Sequence, residues 1–380
     1  MMDEEFDYVE DEFEDEEDEP ENDKYGTYTF GTDPEIFMVN EGKLIPAFEV
    51  LEKHPEWRQG NHQTYKAFWD GFQAELNFRH GVNCLAYAGD DIRDGLIYLR
   101  KKLREKYPNG KLTIQNTFSI KEYLGKVEPG YLELGCAPSK NAYGDKPINP
   151  YMAKKIDQRW AGGHLIFGSD DKILKPHEIA KKFDLLLGIW AVGVAASIDN
   201  PNRRMFYGRA GEFRDKVLPA VTEYHQSVYT FEYRTLSNFW MCHPAISQLV
   251  FEFGRYIMNH LNDKKMLWVE PVATDDMVKE IINKCDVIEA RKFVEKHKIF
   301  YLNMFTRMFY DKPWIGRKAV ELSLNGVEFL VKNPLDVEGN WELDWAGYQG
   351  HSDHDYARFS GFATNGHLKS FDCQLNKEKV

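Results

Sequence analysis

Four short stretches of this 380-residue chain repeat one design: apolar residues alternate with polar ones, and a Glu sits in the middle of the polar set. In a strand, successive side chains point to opposite faces, so alternation of this kind predicts a sheet with one greasy and one wet face. Within residues 28–39, Asp33 and Glu35 share a face opposite Phe30, Ile36 and Met38. Within 74–79, Glu75, Asn77 and Arg79 oppose Ala74, Leu76 and Phe78, with Asp70-Gly71 just before at a bend. Within 131–136, Glu133 and Gly135 oppose Leu132 and Leu134, and within 230–236, Glu232 and Arg234 oppose Phe231 and Tyr233. Pro34 lacks a backbone N–H and predicts an edge strand or a bulge at that point.

Exposed sheet faces ordinarily mix Lys, Thr, Ser and Gln. If these strands are neighbours, Glu35, Glu75, Glu133 and Glu232 converge, with Asp33 and Asp70 beside them. Carboxylates crowded in one place repel and raise one another's pKa, and a bound cation relieves this. Oxygen-only donors select hard ions, Mg²⁺ above all where phosphate completes the shell. The alternative is that the strands are not adjacent and each Glu faces water.

Two further clusters carry chemistry. Ala161-Gly162-Gly163-His164 precedes the apolar run Leu165-Ile166-Phe167, so His164 heads a strand behind glycines that permit close backbone approach. It reads equally as a ligand or as a hydrogen-bonded core histidine. Residues 203–214 hold Arg203, Arg204, Arg209 and Arg214 together with Tyr207, Gly208 and Gly211. Arginine forks and glycine-freed N–H groups suit phosphate or carboxylate, and the alternative is a solvated basic loop. The segment matches neither a Walker loop nor a dinucleotide fingerprint. His351, Asp353, His354 and Asp355 have a metal-like composition but read as a surface loop. Trp57, Trp69, Trp160 and Trp240 read as core or pocket walls.

Composition narrows the classes. The net charge is −13, yet residues 1–23 alone hold 15 acids and no Lys or Arg, leaving 46 acids against 48 bases elsewhere. The near-neutral remainder argues against DNA binding by bulk phosphate attraction. Residues 1–24 read as a disordered acidic tail, either solubilising or an anionic plug for the basic pocket. The five cysteines, Cys84, Cys136, Cys242, Cys285 and Cys373, show no Cys-x-x-Cys spacing, which points to a reducing compartment and a cytoplasmic protein. The N-terminus does not read as a secretory signal, and the 14-residue apolar run at 185–198 is too short to span a bilayer.

Helical periodicity appears at Ile92, Leu96, Leu99 and Leu103, with Asp90 or Asp91 as cap, in a nearly all-apolar stretch at 183–198, and at Ile246, Leu249, Val250, Phe253 and Ile257. Residues 274–310 read as mainly helical and 341–370 as irregular. Strands that do not alternate regularly with helices predict an α+β fold with a mostly antiparallel sheet. The expected organisation is the tail (1–24), a catalytic region (25–262) and a helical, then irregular, extension of the same domain (263–380).

The ordered series Gly31-Thr32-Asp33-Pro34-Glu35-Ile36-Phe37, Asp70-Gly71 with Glu75-Leu76-Asn77, Glu133-Leu134-Gly135-Cys136-Ala137-Pro138, Gly162-Gly163-His164, Arg203-Arg204 with Tyr207-Gly208, and Glu232-Tyr233-Arg234-Thr235-Leu236-Ser237-Asn238-Phe239-Trp240 resembles the phage-type carboxylate–amine ligases. These are relatives of glutamate–cysteine ligase and glutamine synthetase. The resemblance covers roughly residues 27–262. It implies a glutamine-synthetase-like catalytic sheet, partly barrel-shaped, with helices packed on its apolar face. It implies ATP-dependent amide formation through an acyl phosphate, with Mg²⁺ or Mn²⁺ as cofactor and small-molecule or peptide acids and amines as substrates. Nucleic acid enters only as a modified-base substrate, and a phage-encoded enzyme would act in its host's cytoplasm.

By position, Glu35, Glu75 and Glu232 match the family's metal acids, with Asp33 and Asp70 as further metal candidates. Glu133 and His164 match the metal and nucleotide site, and Arg234 the arginine on the transferring phosphate. Arg203 and Arg204 are implied to hold phosphate or substrate carboxylate, with Tyr207, Arg209 and Arg214 as nucleotide contacts. Relatives commonly carry a second histidine two residues after the first, where this chain has Ile166. Relatives also often share active sites between subunits, so a homo-oligomer is in keeping with the resemblance. Two other classes stay open: a two-metal phosphoesterase or nuclease using the same acids, and a non-catalytic binding protein.

Overall fold

The structure, a computed structural model, describes residues 28–61, 63–78, 81–82, 85–132, 139–146, 156–169, 173, 175–218, 228–260, 271–308 and 313–338. The acidic leader, Glu133, Arg79 and residues 341–380 lie outside the described residues, as does the His351–Asp355 cluster.

The fold is mixed α and antiparallel β, with a sheet curled into a half-barrel. The first strands are β1 (Thr29–Thr32), β2 (Glu35–Asn40), β3 (Lys43–Ile45), β4 (Arg58–Gln59), β5 (Thr64–Asp70) and β6 (Gln73–Phe78). After the helix α1 (Leu85–Lys106) come β7 (Lys111–Thr113), β8 (Thr117–Ser119), β9 (Lys140–Asn141), β10 (Gln158–Trp160) and β11 (Leu165–Ser169). One sheet has the order β1-β11-β13-β12-β9, where β12 is Glu212–Leu218 and β13 is Val228–Tyr233. A second has the order β3-β2-β6-β5-β4, with β7 also on β2, and β8 pairs with β10. All strand pairs among the described residues are antiparallel.

Pro34 seams the two sheets. The expected single strand at 28–39 breaks there: β1 pairs with β11 and β2 pairs with β6. The Pro34 carbonyl accepts from Leu76 N at 3.1 Å, and Glu35 N donates to Gly162 O at 2.9 Å, so backbone pairing carries across the break.

The apolar faces behave as alternation requires. Phe30, Phe167, Phe231, Tyr233 and Phe213 are buried on one side of the first sheet. Phe183 of α2 (Pro176–Phe183) stacks against them, with centroids 5.6 Å from Phe167 and 4.8 Å from Tyr233. Phe251 of α5 (Pro244–Asn259) lies 4.6 Å from Phe30. Gly254 lets α5 approach, since a Cβ there would stand 2.9 Å from the Phe167 ring. Each such aromatic contributes about 1.5–3 kcal/mol by leaving water. On α1, Ile92, Leu96, Leu99 and Leu103 are all fully buried on one face.

Three expectations need correction. Helix α1 starts at Leu85, so Asp90 and Asp91 are buried within it and do not cap it; the apolar Leu85 and Ala88 extend the helical face upstream. The 183–198 helix starts earlier, at Pro176, whose fixed φ suits a first turn. It then passes through a π-helical turn (Asp184–Gly188) into α3 (Ile189–Ala195), and ends where Ala196 turns to φ +45°. Tyr131 and Leu132, read as the start of a strand, lie in a 3₁₀ turn.

The short α4 (Pro201–Arg204) carries the first two arginines. The 274–310 region forms α6 (Asp275–Asn283), α7 (Val287–Lys296) and α8 (Lys298–Met308), followed by α9 (Pro313–Asn325). Thr274 caps α6 by accepting from Met277 N at 3.2 Å. Helices α7 and α9 pack on α3, where Trp190 Nε1 donates to Ala319 O at 3.2 Å. The apolar α3 is thus packed against the C-terminal helices and, through Trp190 and Phe253 with ring centroids 5.7 Å apart, against α5. No helix among the described residues is long and apolar enough to cross a membrane.

Candidate functional site

The described acids do meet, as two groups that Tyr207 touches on both sides. Glu35 and Glu75 are direct register partners on β2 and β6. Asp70 enters from the end of β5, where the hairpin turns through Gly71 at φ +67°. One oxygen each from Glu35, Asp70 and Glu75 lies within 4.8 Å of the others. The second group is Asp33, His164 and Glu232, with ligand atoms inside the same 4.8 Å limit. Asp33 sits in the β1–β2 break, His164 just before β11, and Glu232 on β13 across from Ile166. His164 Nδ1 is 2.9 Å from Asp33 Oδ1 and 3.5 Å from Glu232 Oε1.

Tyr207 joins the groups. Its hydroxyl donates to Glu35 Oε1 at 2.9 Å and lies 2.8 Å from His164 Nε2. Gly162 makes room for this meeting: a Cβ there would stand 2.6 Å from His164 Nε2 and 3.0 Å from the Tyr207 hydroxyl. Its N–H donates to Glu35 Oε2 at 2.6 Å. Asn238 Nδ2 donates to the Glu35 carbonyl at 2.8 Å. Glu35 is therefore held at its side chain and its backbone.

Burial and crowding set the protonation. Glu35 is pushed up to about 8, first by burial and then by the charge of Asp70. Burial, then the charges of Asp33, Glu35 and Asp70, raises Glu75 well above the usual carboxylate range. Asp33 is raised to about 6 by burial against the pull of Arg234 and Arg214. Burial, with Arg234 next, holds His164 well below the usual imidazole value, so its ring is neutral. Carboxyls crowded in this way could hold a cation, because a bound ion supplies the missing positive charge.

The arginines divide into two kinds. Arg234 is buried, pairs with Glu232, and lies with one nitrogen 3.4 Å from the Tyr207 hydroxyl. Arg214 stands across β12–β13 from Glu232, with guanidinium and carboxylate 3.4 Å apart. Both belong to the site. Arg203 and Arg204 do not reach it as phosphate holders. Arg203 donates from Nε to Ala161 O at 2.9 Å, and from its terminal nitrogens to Thr235 O at 3.2 Å and Leu236 O at 2.8 Å. Arg204 pairs with Asp199 at 2.6 Å and also donates to the Gly208 and Thr235 carbonyls. Burial pushes the Asp199 carboxyl up, but Arg204 and Arg203 outweigh it and hold it below its ordinary value. These two arginines tie strand ends together beneath the site. The reason is accessibility: Arg203 and Arg204 are buried at the end of α4, so their guanidinium groups take the nearest main-chain carbonyls. Arg209 bridges Glu212 at 3.1 Å and Lys146 O at 2.8 Å, at the rim.

Two rows of residues run across the strands on the same polar face. Register aligns Thr29, Gly168, Thr230 and Lys216 in one row across four strands, and Gly31, Ile166, Glu232 and Arg214 in the next. A Cβ on Gly31 would meet nothing nearer than Ile166 Cβ at 3.8 Å, so the floor there is open. Lys216 is exposed at its end.

Oxygen-only Glu35, Asp70 and Glu75 fit Mg²⁺, and the second group's imidazole also admits Mn²⁺. Sequence reasoning named Tyr207 only as a nucleotide contact and missed Asn238 and Asp199. Asn200, and not Asp199, caps α4 by accepting from Asn202 N at 2.9 Å, so no capping pattern marked Asp199. Trp240 is fully buried and donates to Gly163 O at 3.1 Å, whereas Trp57 is 38% exposed and is not core. In comparisons with protein-family models and with curated proteins, nothing matched the chain.

Proposed function

We propose that this protein is an ATP-dependent carboxylate–amine ligase with a glutamine-synthetase-like catalytic sheet. The observation that carries the reading is the pair of three-residue cation clusters, bridged by Tyr207 and flanked by Arg234 and Arg214. Mg²⁺ or Mn²⁺ in the clusters would neutralise the phosphate oxygens of ATP.

In the first step a substrate carboxylate oxygen attacks the γ-phosphorus, the bond to the β-phosphate oxygen breaks, and ADP leaves. In the second an amine attacks the acyl carbon, the C–O bond to phosphate breaks, and phosphate leaves with the amine's surplus proton. Arg234, oriented by Glu232, stabilises the charge on the transferring group. Arg214 and Lys216 line the polyphosphate path, and the open floor at Gly31 leaves space for the nucleoside. The acyl phosphate needs protection from water, which the buried Glu35, His164 and Arg234 provide on the inner side.

The test is a panel of carboxylic acids with ATP, Mg²⁺ and hydroxylamine. The ligase reading expects acid-dependent ADP release and hydroxamate. ADP release with no hydroxamate from any acid overturns it. Cleavage of a phosphodiester without ATP would instead favour a two-metal phosphoesterase, which the same clusters suit chemically.

A further inference from the structure

Gln73 opens β6 in a position that ought to cost the protein stability. It is 2% exposed, and its side-chain oxygen has no hydrogen-bond partner among the described residues. A buried polar atom left unpaired is destabilising, because it has given up its water and gained no partner. The hairpin is not free to swing out and relieve it. Gly71 turns at φ +67°, the next residue, Phe72, is fully buried, and the Phe72 carbonyl accepts from Ala47 N at 3.1 Å. An orphan held in place this way is explained by a group that comes from outside the chain.

Its neighbours say which group. Gln73 is the register partner of Asp70 across β5–β6, and alternation puts it on the same face as Glu75, two residues on. Directly opposed side chains have Cβ atoms about 4.5–5.5 Å apart. The amide therefore stands on the face where the Glu35, Asp70 and Glu75 oxygens lie within 4.8 Å of one another.

We propose that Gln73 supplies a fourth, neutral oxygen to a divalent cation held by Glu35, Asp70 and Glu75. The proposal rests on the cation reading of that group and adds a residue to it. A hard ion takes about six oxygens or more, and amide carbonyls serve beside carboxylates. Charge explains why an amide stands here. Three carboxyls already repel, and a fourth would add to that repulsion, whereas a carbonyl lone pair adds binding with no net charge. The torsion that turns a terminal amide is broad, so a cation draws the oxygen toward itself whichever way the amide rests without one. The ion in return satisfies the orphan, so metal binding recovers the stability that Gln73 costs the metal-free chain.

The test uses the full chain with Mg²⁺ or Mn²⁺ alone, and the variant Gln73→Met, which keeps the length of the side chain and removes the amide. In EDTA the variant should melt at or above the wild-type temperature, because it lacks the unpaired oxygen. Mg²⁺ should raise the wild-type midpoint by more than the variant's. Calorimetric Mn²⁺ affinity at one ion per chain should fall about tenfold or more, the loss that even an outer partner of a metal ligand causes. In Mn²⁺-soaked crystals of the wild type, the anomalous peak beside Glu35 and Glu75 should have the Gln73 oxygen in its shell, a readout that needs no variant to fold. A variant that melts lower in EDTA, or that binds Mn²⁺ as the wild type does, overturns the proposal. So does a Mn²⁺ peak with Gln73 outside its shell, or a wild type that binds no Mn²⁺. None of these measurements reads amide formation. Gln73 in the shell with no hydroxamate refutes the ligase reading alone, and hydroxamate with Gln73 outside the shell refutes this proposal alone.

Discussion

Glu35 of β2 and Glu75 of β6 are register partners on antiparallel strands, placing two carboxyls side by side with Asp70 within ligand distance of both. Like charges directly opposite one another on a sheet destabilise it. A protein that keeps this pair needs a proton or a cation there.

Stability in the presence of chelator should therefore depend on pH in an unusual direction. Glu35 titrates near 8 folded and near 4.5 in the open chain, so between these values the folded state binds the extra proton. Stability is fully present below about pH 4.5 and is lost as pH rises toward 8, each unit costing about 1.4 kcal/mol at most. Thermal unfolding with EDTA should show the midpoint falling from pH 5 to pH 8. Mg²⁺ should restore it, and Glu35→Gln should flatten the slope. A midpoint that rises over this window contradicts the crowding argument.

Arg234→Lys should separate charge from geometry. Lysine keeps a positive charge beside Glu232 but cannot serve Glu232 and the Tyr207 hydroxyl together from one planar fork. A loss of about 10²–10³ in hydroxamate formation is expected, with the circular dichroism spectrum retained. Activity within a few fold of wild type would remove Arg234 from the phosphoryl-transfer role.

Arg203→Ala should act on folding. The change strips donors from three buried carbonyls, at a cost on the order of 3 kcal/mol or more. Chemical denaturation should show the loss, while any folded fraction should keep the wild-type KM for ATP. Gly208→Ala should resemble it, since φ is +68° there and a Cβ would press on the Arg203 guanidinium. A raised KM with unchanged stability would return Arg203 to substrate binding.

Gly31→Leu tests where the nucleotide lies. The position has no positive φ and a Cβ there meets nothing nearer than 3.8 Å, so the substitution should fold and fill the space above Gly31. ATP binding by calorimetry should fall at least tenfold while Mn²⁺ binding persists. Undiminished ATP binding would move the nucleoside elsewhere.

Two-residue periodicity was a sound guide to which side chains share a face, because that follows from backbone geometry inside one strand. Phe30, Ile36, Met38, Ala74, Leu76, Phe231 and Tyr233 are buried as alternation requires. It was a poor guide where a turn replaced the strand, as at Tyr131 and Leu132. Motif content was equally blind to burial: four arginines in one segment read as one anion site, yet Arg203 binds carbonyls, Arg204 binds Asp199 and carbonyls, and Arg209 and Arg214 face Glu212 and Glu232.

From its residues alone, the chain determined an α+β fold with antiparallel strands, a nearly all-apolar helical stretch at 183–198 and a polar sheet face rich in Glu, because periodicity and side-chain chemistry are local. Only the tertiary structure decided that the acids form two groups instead of one, that Tyr207 stands between them, and that Arg203 and Arg204 are braces. Those outcomes depend on strand register and on the seam at Pro34, which bring together residues more than a hundred positions apart. No local pattern encodes the distance between such residues.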